Sequence, residues 1–213
     1  MLLEELRYQV WKCNLMLPQN GLVKMTSGNV SGRDPETGLV VIKPSGYSYE
    51  DMTPADMVVV DLDGSVLEQR LKPSVDTGTH LYICRRRPDV FGIVHTHSPY
   101  ATSFAALGQS IPPCLTIFGM FGGEIPIGGY VPIGGEAIGD EIIQKIGSSL
   151  AILMQNHGAF TIGASAKEAT KMAVEVEEIA KITHLAMLRG QPILLSAEQV
   201  AEVQDLYRYT YGQ

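Results

Sequence analysis

The sequence predicts an α/β fold with a central, mainly antiparallel sheet flanked by helices on both faces, over residues 1–213 as a single domain. Three observations predict it. Helical periodicity alternates with strand-like apolar runs at both ends of the chain. Hairpin signals lie between them, at Asp63-Gly64 and at Gln155-Asn156-His157-Gly158. Finally, 45% of the 213 residues are apolar and 18% are charged, which suffices for a full hydrophobic core.

Residues 1–18 read as an amphipathic helix. Leu3, Leu6, Val10, Leu15 and Met16 fall near helical spacing, and Pro18 ends it. The stretch 26–33 reads as a loop. Residues 39–43 form a strand cut by Pro44-Ser45-Gly46. A second strand covers 57–61, and Asp63-Gly64 turns it into Val66-Leu67. Residues 75–87 look helical, and Arg85-Arg86-Arg87 closes that helix, where cations suit the helix dipole. A strand over 91–97 and a helix over 99–107 follow. Residues 108–135 are rich in Gly, Pro and apolar side chains without a clean period. A helix over 136–147 precedes two strands, 150–154 and 159–162. Ser165 with Glu168 is a capping-box pattern that opens a long helix to Arg189-Gly190. A last helix covers 196–207. There is no internal repeat, linker or low-complexity tract.

The charge excludes some functions. A surface that tracks nucleic-acid phosphates needs excess Lys and Arg, yet the chain has 16 of them against 23 acids, a net charge of −7. Cys13, Cys84 and Cys114 are odd in number and form no CxxC, so a disulfide framework is not expected and a reducing compartment is. The early residues lack the pattern of a signal peptide, and no apolar run reaches the ~18 residues needed to span a bilayer. The expectation is a cytoplasmic protein with neither a membrane nor a nucleic-acid partner.

Chemistry concentrates in a few places. In His95-Thr96-His97, the two imidazoles stand two apart on a strand and so share a face, where they can chelate a divalent ion. The same pattern also fits two surface or hydrogen-bonded imidazoles. His157, at a tight turn, is the candidate third ligand or simply a turn residue. His80 reads as a helix-surface histidine and His184 as a packing or subunit-contact residue. Three loops, Thr26-Ser27-Gly28-Asn29, Lys43-Pro44-Ser45-Gly46 and Lys72-Pro73-Ser74-Val75-Asp76, offer backbone N–H groups and hydroxyls to an anion. Lys43 and Lys72 either add charge there or are solvated. None of the loops is a Walker A or dinucleotide motif. Asp76, between the anion and metal candidates, is either a proton shuttle or an N-terminal helix residue.

In this order, these motifs resemble the class II aldolase/adducin family over nearly the whole chain. The likeness includes Ala173 to Ala180 and the tail Tyr211-Gly212-Gln213. The resemblance implies a nine-stranded antiparallel sheet and a homotetramer with sites between subunits. It implies one divalent ion per subunit on His95, His97 and His157, with zinc first and manganese or cobalt as substitutes. Asp76 would be the acid/base. Thr26, Ser27, Gly28, Asn29, Ser45, Gly46, Ser74 and Val75 would hold the phosphate of a sugar phosphate, Val75 through its backbone.

Two catalytic branches of the family differ in reaction. One cleaves ketose 1-phosphates, such as fuculose 1-phosphate, to dihydroxyacetone phosphate and an aldehyde. The other epimerises L-ribulose 5-phosphate at C4. A third, adducin-like branch is non-catalytic. Asp76 and the tail favour the epimerases. The segment Leu115 to Phe121 lacks the catalytic Asp of the epimerases, Gly119 standing in its place, and Thr116 replaces an aldolase tyrosine. The expectation is therefore an aldolase, with epimerisation as the alternative. Tyr211 is the candidate acid/base for the C4 oxygen, or a helix-end packing residue. If Ile117, Phe118 and Phe121 line the pocket, a deoxy substrate such as 5-deoxyribulose 1-phosphate fits; otherwise they pack at an interface.

Overall fold

Side chains two apart on a strand share a face, and here both faces of the sheet are buried. The computed structural model describes residues 1–68 and 71–209. Seven strands form one sheet: β1 (Asn29–Arg33), β2 (Val40–Ile42), β3 (Val58–Val60), β4 (Gly92–Thr96), β5 (Ile127–Gly128), β6 (Ala151–Met154) and β7 (Gly158–Gly163). Their order is β3-β2-β1-β4-β7-β6-β5, antiparallel throughout except for the β5–β6 pair. Val40, Ile42, Val58, Val60, Ile93, Ile152, Phe160 and Ile162 face one core. Their neighbours Val41, Val59 and Val94 face a second core, and Ala151, Leu153 and Ala159 a third. The strict alternation dictates a layer of helices on each side.

Helix α2 (Thr77–Arg86) and helix α4 (Ala137–Lys145) cover the first face. They are tied by Arg85 to Glu136 at 2.6 Å and by the Tyr82 hydroxyl to Asp140 at 2.5 Å. Helices α1 (Glu4–Gln19), α3 (Pro99–Ala106) and α5 (Ala166–Arg189) cover the other. Helix α6 (Ala197–Tyr209) packs on a 3-10 turn over Thr116–Met120. Ser165 caps α5 by accepting the Glu168 N–H at 3.1 Å. The Glu168 carboxylate reaches back to the Ala164 N–H at 3.0 Å, one residue earlier than a capping box requires.

The structure departs from the sequence reading in three places. Residues 29–33 form the strand β1, paired with both β2 and β4. The run Asn-Val-Ser-Gly-Arg has weak strand propensity, and its two neighbours impose the conformation. Pro18 lies inside the last turn of α1 instead of ending it. The sheet has seven strands among the described residues, not nine. Pro44–Pro73, Val60–Val66 and Ile111–Ile125 make only isolated bridges, and proline has no N–H with which to extend a ladder. Among the described residues no helix is long and apolar enough to cross a membrane.

Candidate active site

His95 is the penultimate residue of β4, and its Nδ1–H donates to the Ala159 carbonyl on β7 at 3.1 Å. A carbonyl can only accept, so the Nε2 lone pair of His95 is left free for a cation. His97 follows one residue past β4, and His157 lies in the β6–β7 turn beside it. The ring centroids are 4.7 Å apart for His95–His97 and for His95–His157, and 5.2 Å apart for His97–His157. One ligand atom from each ring lies within 4.8 Å of the others.

The turn admits this only because residue 158 is glycine. A Cβ there would stand 2.3 Å from the Thr96 carbonyl oxygen and 2.8 Å from the His97 ring. Burial pushes all three imidazoles below their usual pKa, and for His95 and His157 the mutual repulsion of the rings adds to it. Three neutral imidazoles converge, and among the described residues the buried Nδ1 of His157 has no hydrogen-bond partner. This donor set fits a divalent ion of the zinc type.

The three loops surround the cluster. The two Lys-Pro-Ser stretches pair with each other: the Ser45 N–H donates to the Lys72 carbonyl at 2.9 Å, and the Ser74 N–H to the Lys43 carbonyl at 3.0 Å. Gly28 has φ +74°, and a Cβ on it would meet the His95 carbonyl at 2.8 Å, so the first loop lies flat on β4. The Tyr49 hydroxyl fixes that loop by donating to the Ser27 and Gly28 carbonyls at 2.9 and 3.0 Å. Asn29 Nδ2 donates to Asp76 Oδ2 at 2.7 Å and to Ser74 Oγ at 3.1 Å. Asp76 stands at the N-cap of α2, yet its carboxylate caps no helix N–H.

One cleft of about 250 Å³ is bordered by Thr26, Ser27, Gly28, Asn29, Ser45, Gly46, Ser74, Val75, Asp76, His95, His97 and His157. These are all the residues expected from the sequence to hold the metal and the phosphate, with Asp76; Lys72 does not border the cleft, and Tyr211 lies outside the described residues. Lys43 and Ile133 complete the lining. Lys43 is 2% exposed, and burial pulls its pKa down to about 8. Its Nζ donates to the Thr26 carbonyl at 3.1 Å and stands 4.7 Å from the centre of the Tyr49 ring. The sequence left Lys43 open between a charge in the site and a solvated side chain; it is buried at the site. Nothing in the sequence marked Ile133, from the aperiodic stretch 108–135.

Glu177 of α5 was also missed. Its two oxygens accept the Tyr100 and Ala101 N–H groups at 2.9 Å each, capping α3 immediately after His97. His80 is fully buried, not on a helix surface. His184 packs on Tyr100, with ring centroids 5.6 Å apart. Within the chain, the apolar segment 115–121 does not border this cleft. Phe118 and Phe121 are buried in the core beneath α3 and α5, and Gly119 and Met120 edge a separate cleft of about 540 Å³ beside α6. Within one chain the segment therefore lends the expectation of a deoxy substrate no support. A Cβ on Gly119 would lie 2.9 Å from the Gln204 backbone nitrogen, so an acid at this point would displace α6.

The fold and this cleft define a class of protein, and comparison gives its family. Residues 8–184 match the class II aldolase and adducin N-terminal domain, and the chain belongs to that family. It is 43% identical to the L-ribulose-5-phosphate 4-epimerase UlaF of Salmonella paratyphi B, over 86% of each chain. Among solved structures, an L-fuculose 1-phosphate aldolase superposes with a TM-score of 0.92 at 28% identity, covering 96% of this chain and 97% of that one. The L-fuculose-1-phosphate aldolase of Thermus thermophilus superposes with a TM-score of 0.74 at 25% identity, over 89% of this chain and all of that one.

Proposed function

We propose that this protein makes and breaks a carbon–carbon bond of a phosphorylated ketose by metal-dependent retro-aldol chemistry. One observation carries the reading: three neutral imidazoles, an uncapped carboxylate and a buried lysine share one cleft with anion-binding loops. His95, His97 and His157 would hold the ion, zinc first. When bound, a divalent ion supplies Lewis-acid stabilisation of the negative charge that develops on the substrate oxygens. The Thr26–Asn29 loop, Ser45-Gly46, Ser74-Val75 and Lys43 hold the phosphate and so fix the reacting carbons. A base takes the C4 hydroxyl proton, the C3–C4 bond breaks, and its electrons pass toward the C2 carbonyl. Asp76 is the acid/base at C3, and Tyr211 is our assignment at the C4 oxygen.

The same cleavage has two outcomes. If the aldehyde turns and adds back, the net reaction is L-ribulose 5-phosphate 4-epimerisation, which the 43% identity to UlaF favours. If C3 is protonated and the aldehyde leaves, the net reaction is that of an aldolase. The segment 115–121 lies off this chain's cleft and carries no titratable side chain, so a neighbouring copy in a tetramer would bring no second acid from it to the aldehyde, which favours release.

The test is metal reconstitution followed by assay of L-ribulose 5-phosphate and fuculose 1-phosphate side by side. Xylulose 5-phosphate from the first gives the epimerase; chelator-sensitive dihydroxyacetone phosphate from the second gives the aldolase. Neither product, with full metal occupancy, overturns the retro-aldol reading.

A homotetramer is part of the proposal. Leu185, Leu188, Ile193, Leu194 and Leu206 are exposed apolar residues on and after α5 and on α6, which supports burial against another copy. Light scattering that returns a monomer at micromolar concentration refutes it. The three free cysteines support a reducing, cytoplasmic setting.

A further inference from the structure

His80 follows Asp76 by four residues, so the two lie on one side of α2. Asn29 and Ser31 are two apart on β1 and share a face of the sheet. The pairs meet in register. Asn29 Nδ2 bonds Asp76 Oδ2 at 2.7 Å, and Ser31 Oγ bonds His80 Nδ1 at 2.7 Å. The first contact borders the cleft. The second involves two residues that are 1% and 0% exposed. Burial pushes the His80 pKa down to about 3, so the ring is neutral and needs no counterion. Its edge meets Phe160 at 6.3 Å between centroids, and Phe160 stacks on His95 at 4.2 Å and 16°.

An aspartate at an N-cap ordinarily spends its carboxylate on the first helix N–H groups. Asp76 does not, so the opening turn of α2 must be anchored otherwise. Thr77 Oγ1 donates to the Ser74 carbonyl at 2.6 Å, and the His80 N–H donates to the Asp76 carbonyl at 3.1 Å. Both contacts lie within the same local stretch of chain. Ser31–His80 carries that turn onto the sheet from beneath, beside the strand that bears His95.

We propose that His80 and Ser31 form a buried brace that holds the opening turn of α2 on β1, making His80 a positioning residue for Asp76. The brace frees the carboxylate from capping duty and sets its place relative to the three imidazoles. This rests on the reading of Asp76 as the acid/base.

The experiment compares Ser31→Ala, His80→Phe and His80→Gln in the metal-loaded protein. Ser31→Ala removes one hydroxyl and keeps the test available should His80→Phe fold poorly. In Ser31→Ala, amide hydrogen exchange at His80 and Leu81 speeds up about tenfold, the effect of one lost buried hydrogen bond, with Cys84 and Arg85 unchanged. Turnover falls about tenfold, KM stays within twofold, and metal content is unaltered. His80→Gln, which can still bond Ser31, regains most of the turnover that His80→Phe loses. Unchanged exchange overturns the brace, and faster exchange with full kcat overturns the positioning role. Full turnover in Asp76→Asn would remove the acid/base assignment alone, because the exchange result does not depend on which reaction the site runs.

Discussion

Lys43 is a buried cation whose Nζ has no carboxylate within ion-pair distance among the described residues. Its pKa falls from 10.5 to about 8 on folding, and at about 1.4 kcal/mol per unit the buried charge costs about 3 kcal/mol at neutral pH. Between pH 8 and 10.5 the folded chain has lost this proton while the unfolded chain keeps it. Stability therefore rises with pH across that window, and below it the full penalty applies. Replacing Lys43 by Met removes the penalty but leaves the Thr26 and Pro44 carbonyls without their donor, a loss of roughly 1–2 kcal/mol. The net expectation at pH 7 is a variant more stable by about 1 kcal/mol, or roughly 2–4 °C in Tm. The same variant loses a charge-assisted contact to phosphate of roughly 1.5–3 kcal/mol, which weakens binding about 10- to 100-fold. Calorimetric titration with inorganic phosphate, alongside thermal melts in phosphate-free buffer, reads both quantities. A variant that melts lower and binds phosphate as tightly as the parent would refute the reasoning, because Lys43 would then be a structural cation and not a waiting phosphate ligand.

Three further outcomes follow from the same geometry. Gly158→Ala drives a methyl against the Thr96 carbonyl and the His97 ring, costing about 1–3 kcal/mol of stability and most of the bound metal, as thermal melts and metal analysis would read. Glu177→Ala uncaps α3 next to His97, at a cost of about 1 kcal/mol, and weakens metal binding, whereas a control at exposed Glu178 leaves both unchanged. Burial lowers the imidazole pKa values, so protons compete for the three histidines only below the ordinary imidazole range. Metal is retained on dialysis at pH 6.5 and lost on further acidification, and release already complete at pH 7 would contradict the burial.

The parts of the site legible in sequence obey a strict local rule. His95 lies on β4 and His97 one residue beyond it, close enough for the alternation of strand side chains to foretell their meeting, and the Gly-containing turns mark themselves by composition. What stayed hidden depends on contacts between segments far apart in the chain. β1 is a strand because β2 and β4 flank it, although its residues read as a loop. His80 read as exposed because Thr77 and Thr79, both buried, dilute the apolar period of α2. Glu177 lies 80 residues from His97 in sequence, and only the packing of α3 on α5 shows that it caps the helix after His95 and His97. Lys43 carried no sign of burial, since a lysine before Pro-Ser-Gly is usually at the surface.

The choice between epimerisation and release does not lie in the three histidines or the phosphate loops. Both outcomes require the same broken C3–C4 bond and the same stabilised charge, although the phosphate belongs to the enolate half of a ketose 1-phosphate and to the aldehyde half of ribulose 5-phosphate. They differ in whether the aldehyde is met by proton-transfer groups on both of its faces, since turning it over exchanges the side from which the C4 oxygen is protonated. Asp76, assigned to the proton at C3, would act in release, where C3 is protonated, and not in re-addition. An epimerase needs a second acid elsewhere, and segment 115–121, which lies off this chain's cleft, holds no acid and packs Gly119 against α6. The 43% identity to UlaF over 86% of each chain favours the epimerase outcome of the proposal, and the acid-free segment 115–121 favours the other. Introducing Asp at 119 is a poor way to ask the question, because the new side chain would collide with the Gln204 backbone. The sharper probe is product partitioning in the unaltered protein. An epimerase returns L-ribulose 5-phosphate and xylulose 5-phosphate with no free aldehyde, and an aldolase leaks aldehyde in proportion to turnover.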